Sequence, residues 1–509
     1  MNLIIKIAWR NIMRHRGKSL IIGSILFFGA LVMTMGNGVI SGMDAGLRET
    51  IVNSFTGDIV LISDKQESDN VFLEFMGKAI APIYNYVDIK KVLGEQPFVE
   101  RALPAGKNLA MILNDQENGM PGNAFLIGVD FEKYRAMFPG NIKVIEGRLL
   151  NNGETGALVP LWACKEFAAY TNIWFMPEGA SLDSARLPKE VRPDYRSLVP
   201  KTNAVLMGFN EDNSTTDIRL GIKGIIQYKA LNSLWGRFVI VDIESYRRCL
   251  GYFAAADKVE MSAAEQKLFS MDGGTMDALF TADAVMVENA RAPAAKAKPV
   301  EQGVLTNAKK VDLDAGAYNL VFVLLKKGED QSKAITKLNA VFKEKKLGVR
   351  AVSWKKALGP VGSMAGLIWW ALVGFVILLF FVAIIIIVNT LSMAALERTT
   401  EIGMMRAVGA KKGFISYMFL AETAMLSFVF GGAGIVTGIA GVNILAMFHF
   451  TSTNDMVQLL FGGDTFQPQL SLLYLFITVA LLALVTVIAV LYPLYVARSI
   501  TPLDAVQRD

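Results

Sequence analysis

From Ala357 to Leu396 the chain runs for about forty residues without one Asp, Glu, Lys or Arg. At 1.5 Å per residue a helix of that length reaches about 60 Å, twice the roughly 30 Å hydrocarbon core that about 20 apolar residues cross. The spanning part is placed at Met364–Leu391, and the surplus is expected to protrude outward as a stalk, with Trp369 and Trp370 in the outer interface belt. Three further stretches are long and apolar enough to cross: Leu20–Ile40, Phe414–Met447 and Leu470–Val496. A composition of 53% hydrophobic and 19% charged residues over 509 positions agrees, being too apolar for a soluble protein of this size.

The segment before the first apolar stretch carries Lys6, Arg10, Arg14, Arg16 and Lys18 and no acid. It imitates the n-region of a secretory signal, but the apolar run that follows exceeds the usual h-region and "GNGVISGMDAG" offers no convincing cleavage site, so a retained helix is expected. Arg398, Arg406, Lys411 and Lys412 follow the second span, whereas "HFTSTNDMVQLLFGGDTFQPQ" between the third and fourth holds Asp455 and Asp464 and no Lys or Arg. By the positive-inside rule both termini then face the cytoplasm, and the roughly 320 residues between spans one and two face outward. The expected fold class is a membrane protein with four transmembrane α-helices and a large α+β extracytoplasmic domain inserted between helices 1 and 2.

That outer part sums to a charge of about +1, so the net +5 of the chain comes almost wholly from its N-terminal segment and no nucleic-acid partner is expected. Within it "FTGDIVLISDKQ" alternates as a strand through Ile59 and Leu61, and Arg237–Val241 reads as a strand before a helix opened by Asp242 and Glu244. "AYNLVFVLLKKGEDQSKAITKLNAVFKEKKLGVRAVSW" alternates strand, helix (Ile335, Leu338, Val341, Phe342) and strand, a βαβ unit of a small α+β subdomain. Residues 255–316, with "RAPAAKAKPV", are treated as an insertion. Cys164 and Cys249 leave two readings open, one disulfide or two unpaired buried thiols.

Catalytic and metal signatures are missing. The two histidines, His15 and His449, lie far apart; no HExxH, CxxC or GxSxG occurs, and "HRGKSL" ends like a P-loop but has Ile12 where the first glycine belongs. No metal site and no cofactor are expected in this chain, and any ATP hydrolysis must come from another subunit.

Between Ala394 and Ala410 the residues favour helix, with Gly409 as a stop. Glu397 and Glu401 share a face, and Ile402, Met405 and Arg406 sit on neighbouring ones. Such a short amphipathic helix can lie on headgroups or dock into a partner's groove; the alternative is a solvated loop that only satisfies the charge rule. In the third span, Gly434 and Gly438 have small-xxx-small spacing, pointing either to a tight subunit contact or to packing within one chain.

"ERTTEIGMMRAVGAKKGFI" resembles the signature of FtsX/MacB-like ABC transporter permeases, R-x-x-E-I-G-x-x-R-A-[IV]-G-A, through Arg398, Glu401, Ile402, Gly403, Arg406, Ala407, Val408, Gly409 and Ala410. "IAWRNIMRHRGKSL" is similar to the family's N-terminal amphipathic helix through Ala8, Arg10, Asn11 and Arg14, and the third span resembles the family's through Glu422 and its glycines. "YPLYVARSITPLDAVQRD" resembles the family's C-terminus, and "IKGIIQYKALNSLWGRFVIVDIESYRRCLGY" the strand, hairpin and helix of its periplasmic core. Two features depart from the pattern: "PLWACKEFAAYTNIWFMPEGASLDSARLPKE" lacks the family's usual G-D-x-V-like strand, and the 255–316 insertion has no counterpart.

The resemblance implies a division into a cytoplasmic N-terminal helix (1–19), helix 1 (20–40), a periplasmic MacB-like core domain (41–360), stalk and helix 2 (361–392), and a coupling helix (393–413). Helix 3 (414–447), an outer loop (448–469), helix 4 (470–497) and a cytoplasmic tail (498–509) follow. It implies no enzyme activity in this chain, a dimer with a second copy or a similar permease, and a cytoplasmic ABC ATPase dimer carrying ATP and Mg. The setting is the bacterial inner membrane, with a periplasmic carrier or adaptor as a further partner. The coupling positions would be Glu397, Arg398, Glu401, Ile402, Gly403, Met405, Arg406, Ala407, Val408, Gly409 and Ala410. Glu401 and Arg406 would pair with the ATPase, while Ile402, Met405 and Val408 fill its groove. Transmission of ATPase-driven motion to the outer domain is the expected function, for lipoprotein release or export of another lipophilic substrate. The alternatives are efflux of antibiotics or peptides and, in another class, a receptor or regulator of periplasmic enzymes.

Overall fold

A computed structural model of the chain describes residues 9–10, 12–14, 16–73, 79–114, 121–185, 187–209, 215–229, 231–252, 312–397, 399–452 and 454–499. Nearly all of the 255–316 insertion, Asn11, Arg398 and the tail beyond Ser499 lie outside the described residues.

In chain order the elements begin with α1 (Arg16–Ile51), β1 (Ile59–Ser63), α2 (Tyr86–Gly94), β2 (Val99–Leu113), β3 (Gly122–Val129) and α3 (Phe131–Met137). Next come β4 (Ile142–Gly147), β5 (Ala157–Pro160), α4 (Leu161–Thr171), β6 (Ile173–Phe175), β7 (Val199–Lys201), β8 (Asn203–Phe209) and β9 (Thr215–Tyr228). The soluble part ends with α5 (Asn232–Trp235), β10 (Phe238–Asp242), α6 (Ile243–Cys249), β11 (Leu320–Leu325), α7 (Gln331–Glu344), β12 (Val349–Ser353) and α8 (Trp354–Ala357). The remainder is helical: α9 (Pro360–Glu397), α10 (Thr399–Ala407), α11 (Lys412–Leu426), α12 (Gly432–Met447), α13 (Asp455–Phe461) and α14 (Leu472–Ser499). All the named strands fall between α1 and α9 in sequence.

Ten strands form one sheet in the order β12-β1-β11-β2-β3-β10-β5-β9-β4, with β8 pairing both β2 and β9. The β8 pairings close β2, β3, β10, β5, β9 and β8 into a ring of hydrogen-bonded neighbours, which removes most of their free edges. Helix α6 packs against β2, β3, β8, β9 and β10. It starts where the Asp242 side chain accepts from the Ser245 amide at 2.9 Å. The ring of its Tyr246 lies where side chains at Gly106 and Gly128 would stand, so β2 and β3 are glycine there. Asn319 fixes that ring by donating to Tyr246 Oη at 2.9 Å and to the Lys107 carbonyl at 2.8 Å.

The βαβ expectation changes in one respect. β11 and β12 flank β1, which is antiparallel to both, so the crossover through α7 spans a strand from the chain's beginning. The unit is the end of the large sheet rather than a separate subdomain. For the same reason β1 is buried along its whole length instead of alternating: Ile59 and Leu61 enter one core, Val60 and Ile62 the other. Cys164 and Cys249 are both buried free thiols, which excludes the disulfide.

Four helical spans, Ser19–Thr56, Pro360–Asn389, Lys412–Met447 and Leu472–Tyr495, are long and apolar enough to cross a membrane. From Pro360 onward the long uncharged run lies in one uninterrupted helix, α9, of 38 residues. Helix α1 does not stop at Ile40 but continues to Ile51, 36 residues in all. Apolar count alone missed this extension, because its outer turns carry Asp44, Arg48 and Glu49 beside the buried Met43, Leu47 and Ile51.

Helix α12 lies on α1. A side chain at Gly434 would collide with the Phe27 carbonyl oxygen, and one at Gly438 would lie 2.7 Å from Thr34 Cβ. The small-residue spacing therefore serves a close approach of two helices within the chain. Polar side chains add interhelical bonds: Asn37 Nδ2 donates to Thr478 Oγ1 at 3.0 Å, and Thr486 Oγ1 to Ser427 Oγ at 2.8 Å. Gly434→Val is expected to push α12 off α1 at a cost of about 1–3 kcal/mol. A lowered thermal midpoint of the detergent-solubilised protein checks this; an unchanged midpoint contradicts it.

Candidate functional site

Helix α10 is a short connector between α9 and α11, and its faces differ. Thr399 is buried, Ile402 is fully buried, and Met405 is half-buried against the same cluster, in which Ile12, Ile387, Ile415 and Phe419 lie together. On the opposite side Met404 and Val408, one turn apart, are 61% and 90% exposed. The helix stops at Gly409, whose φ of +101 suits glycine. The Ala410 amide donates to the Met405 carbonyl at 2.9 Å and the Gly409 amide to that of Arg406 at 3.1 Å, a Schellman closure.

The expected groove-filling set is therefore divided. Ile402 belongs to the chain's own interior and is not available to a partner's groove; Met405 is only partly so, and Val408 is fully outward. Met404, absent from that set, stands beside Val408; its exposure could not be read from a stretch with apolar residues on both faces. Gly403 is buried, Arg406 and Ala410 are half-buried, and Ala407 and Gly409 are exposed. The Glu397 and Glu401 positions are helical, while their side chains lie outside the described residues. Arg10 and Arg14 are exposed on helical residues at the same end of the bundle, and Glu422 is buried on α11.

At the other end, the stalk and the sheet share one core. Met43, Leu47 and Ile51 of α1, with Val52 and Phe55 just beyond it, join Leu358 and Ala365 around α9, under Phe72, Trp235 and Phe322 of the soluble part. Phe55 stacks on Trp235 with centroids 4.0 Å apart. Beyond a π-helical turn at Val52–Thr56, Gly57 (φ +67) brings the chain so close to β11 that a side chain there would meet the Val323 carbonyl oxygen at 2.7 Å.

Asp58, nearly fully buried, ties the corner. Its Oδ1 accepts from Arg48 of α1 at 3.0 Å, its Oδ2 from the Leu325 amide at 3.0 Å, and its carbonyl from the Trp354 amide at 3.3 Å. Lys355 of α8 pairs with Asp44 of α1, tying the end of the soluble part to the outer turns of α1.

A third connection escaped sequence reading. Thr50 Oγ1 donates to the Gly462 carbonyl at 2.8 Å, and the Gln469 amide to that of Gly38 at 3.0 Å. The buried Gln458 of α13 accepts from the Leu231 amide at 3.0 Å, so the segment between α12 and α14 holds both α1 and the soluble part. Its signal, one of three glutamines in the segment between α12 and α14, has no distinguishing pattern.

Residues 373–502 match the family model described as FtsX-like permease C-terminal. They run from within α9 through α10, α11 and α12 and past the end of α14. The chain is also 32% identical over 127 residues to an uncharacterized ABC transporter permease of Methanocaldococcus jannaschii, covering 24% of this chain and 32% of that relative. The match thus spans about a third of the relative's length. With four helices long and apolar enough to cross a bilayer, this is a multi-pass membrane protein with a large sheet-rich soluble part. Its C-terminal membrane region, residues 373–502, is what resembles the FtsX-like permeases.

Proposed function

We propose that the chain is the permease subunit of an ABC transporter and works by mechanical transmission: motion imposed at α10 by a separate ATPase reaches the sheet through α1 and α9. The shared core carries this reading. Two unbroken helices run from the membrane bundle into the packed interior of the soluble part, with no flexible linker on either. Close-packed interiors move as units, so a helix displaced at one end carries the sheet at the other.

In this reading the sheet-rich part, inserted between the first and second membrane helices, faces the periplasm, and α10 and both termini face the cytoplasm of a bacterial inner membrane. ATP and Mg sit on the ATPase dimer, and a second permease copy or a similar chain completes the assembly. Met404 and Val408 form the apolar contact, with Glu401 and Arg406 as flanking charges. The cargo is a lipoprotein or another lipophilic molecule, handed to a periplasmic carrier; efflux of antibiotics or peptides is the second reading within the same mechanism.

The test is release from the reconstituted complex. Purified with its ATPase in proteoliposomes, it is expected to release a lipid-anchored protein only on addition of ATP and Mg. Release of a small antibiotic or peptide instead selects efflux. ATP-independent behaviour toward both classes sinks the transport reading and leaves the regulatory one.

A further inference from the structure

The N-terminal helical residues and α11 leave between them a crevice of about 330 Å³ that the proposed transmission does not use. Trp9, Met13 and Leu20 form one wall, and Val429 and Phe430 the other. The interior presents only apolar surface.

Its shape comes from a second π-helical turn, Ser427–Gly431, that interrupts the α11–α12 span. Such turns hold more residues per turn than an α-helix and are frequent at functional sites. The Phe430 ring lies on Gly23, where a side chain would come within 2.5 Å of it. Val429 of the same wall is 40% exposed.

The rim is cationic. Arg16 lines the crevice and is exposed, its Nε donating to the Met13 carbonyl at 3.1 Å, which holds the guanidinium at the edge. Arg10 and Arg14 are exposed on the same short stretch, and no acidic residue occurs from Trp9 to Leu20. An apolar slot beside a fixed guanidinium, within a membrane, matches an acyl chain joined to a negatively charged headgroup.

We propose that this crevice is a binding site for an anionic glycerophospholipid, one acyl chain lying along Trp9, Val429 and Phe430 and the phosphate pairing with Arg16. The bound lipid fastens the N-terminal helical residues to α11 and fixes that end of the bundle. The proposal stands apart from the transport reading, since it needs neither ATPase nor cargo.

Trp9 supplies the reporter. In the full-length chain carrying Trp369→Phe and Trp370→Phe, the fluorescence lost on Trp9→Phe isolates the Trp9 signal in liposomes doped with bromine-labelled lipid. Brominated phosphatidylglycerol is expected to half-quench it at a mole fraction about fivefold lower than brominated phosphatidylcholine, the factor for one basic side chain at an anionic surface. Arg16→Gln equalises the two lipids, and Arg16→Lys keeps most of the preference. Equal midpoints before any Arg16 substitution mean ordinary boundary lipid, and no quenching means that another occupant, such as a second copy of the chain, covers the crevice. Either result overturns the proposal, as does a preference that survives Arg16→Gln. Should Arg16→Gln not fold, the comparison of the two lipids on the Arg16 protein decides alone.

Discussion

Met404→Asp combined with Val408→Asp is expected to abolish co-purification of the ATPase while leaving the membrane bundle as stable as before. Both side chains are exposed, at 61% and 90%, and touch little of their own chain, so charges there cost the isolated permease almost nothing. In a partner's groove each apolar side chain would contribute about 1.5–3 kcal/mol, and an aspartate would be left desolvated without a partner. Two such losses correspond to at least about a hundredfold weaker association. Ile402→Ala is the contrasting variant. Its side chain is fully buried in the bundle, and truncation there costs about 2–5 kcal/mol of stability. Pull-down with a tagged ATPase, read beside thermal midpoints, separates the two. If the double aspartate variant still retains its ATPase, α10 is not the contact.

Leu47→Ala with Ile51→Ala should uncouple rather than dissociate. Each side chain is fully buried in the core that joins α1 to the sheet, and each truncation removes about 2–5 kcal/mol of packing there. The two positions lie one turn apart on α1, so the losses will not simply add. The proposed ATPase contact, on α10, is at the far end of the bundle and is untouched. ATP hydrolysis by the complex is therefore expected to continue, while ATP-dependent release of cargo falls at least about tenfold. A variant that hydrolyses and transports normally would show that the shared core transmits nothing. The Arg48 pair with Asp58 and the contacts of Thr50 and Gln458 remain in this variant, so the measurement reports on the apolar joint alone.

The same two joints show where reading a sequence runs short. Gly409 closes α10 through a motif confined to a few successive residues, and the residue types there state it directly. Which face of α10 turns inward is another matter. Ile402, Met404, Met405 and Val408 are all apolar, so both faces look equally able to be buried. The choice falls to Ile415 and Phe419 of α11 and Ile12 of the N-terminal stretch, which come together only in the folded bundle. Likewise Asp44, Arg48 and Glu49 mark an end to the apolar run of α1 but not to its helix, since the residues between them pack on a sheet not yet formed in sequence.

By itself the sequence determined the membrane helices, the unbroken length of α9, the strand-to-helix step at Asp242 and the stop at Gly409. Each rests on interactions inside one segment: apolar side chains against lipid, backbone bonds closed within a helix, or a cap a few residues away. Only the tertiary structure decided that β1 lies between β11 and β12, that β8 closes the ring from β2 to β9, and that α1 and α9 enter a common core. These depend on partners hundreds of residues apart, as when Asp58 meets Leu325 or Asn37 meets Thr478, and the local pattern at either end is satisfied equally well by other pairings.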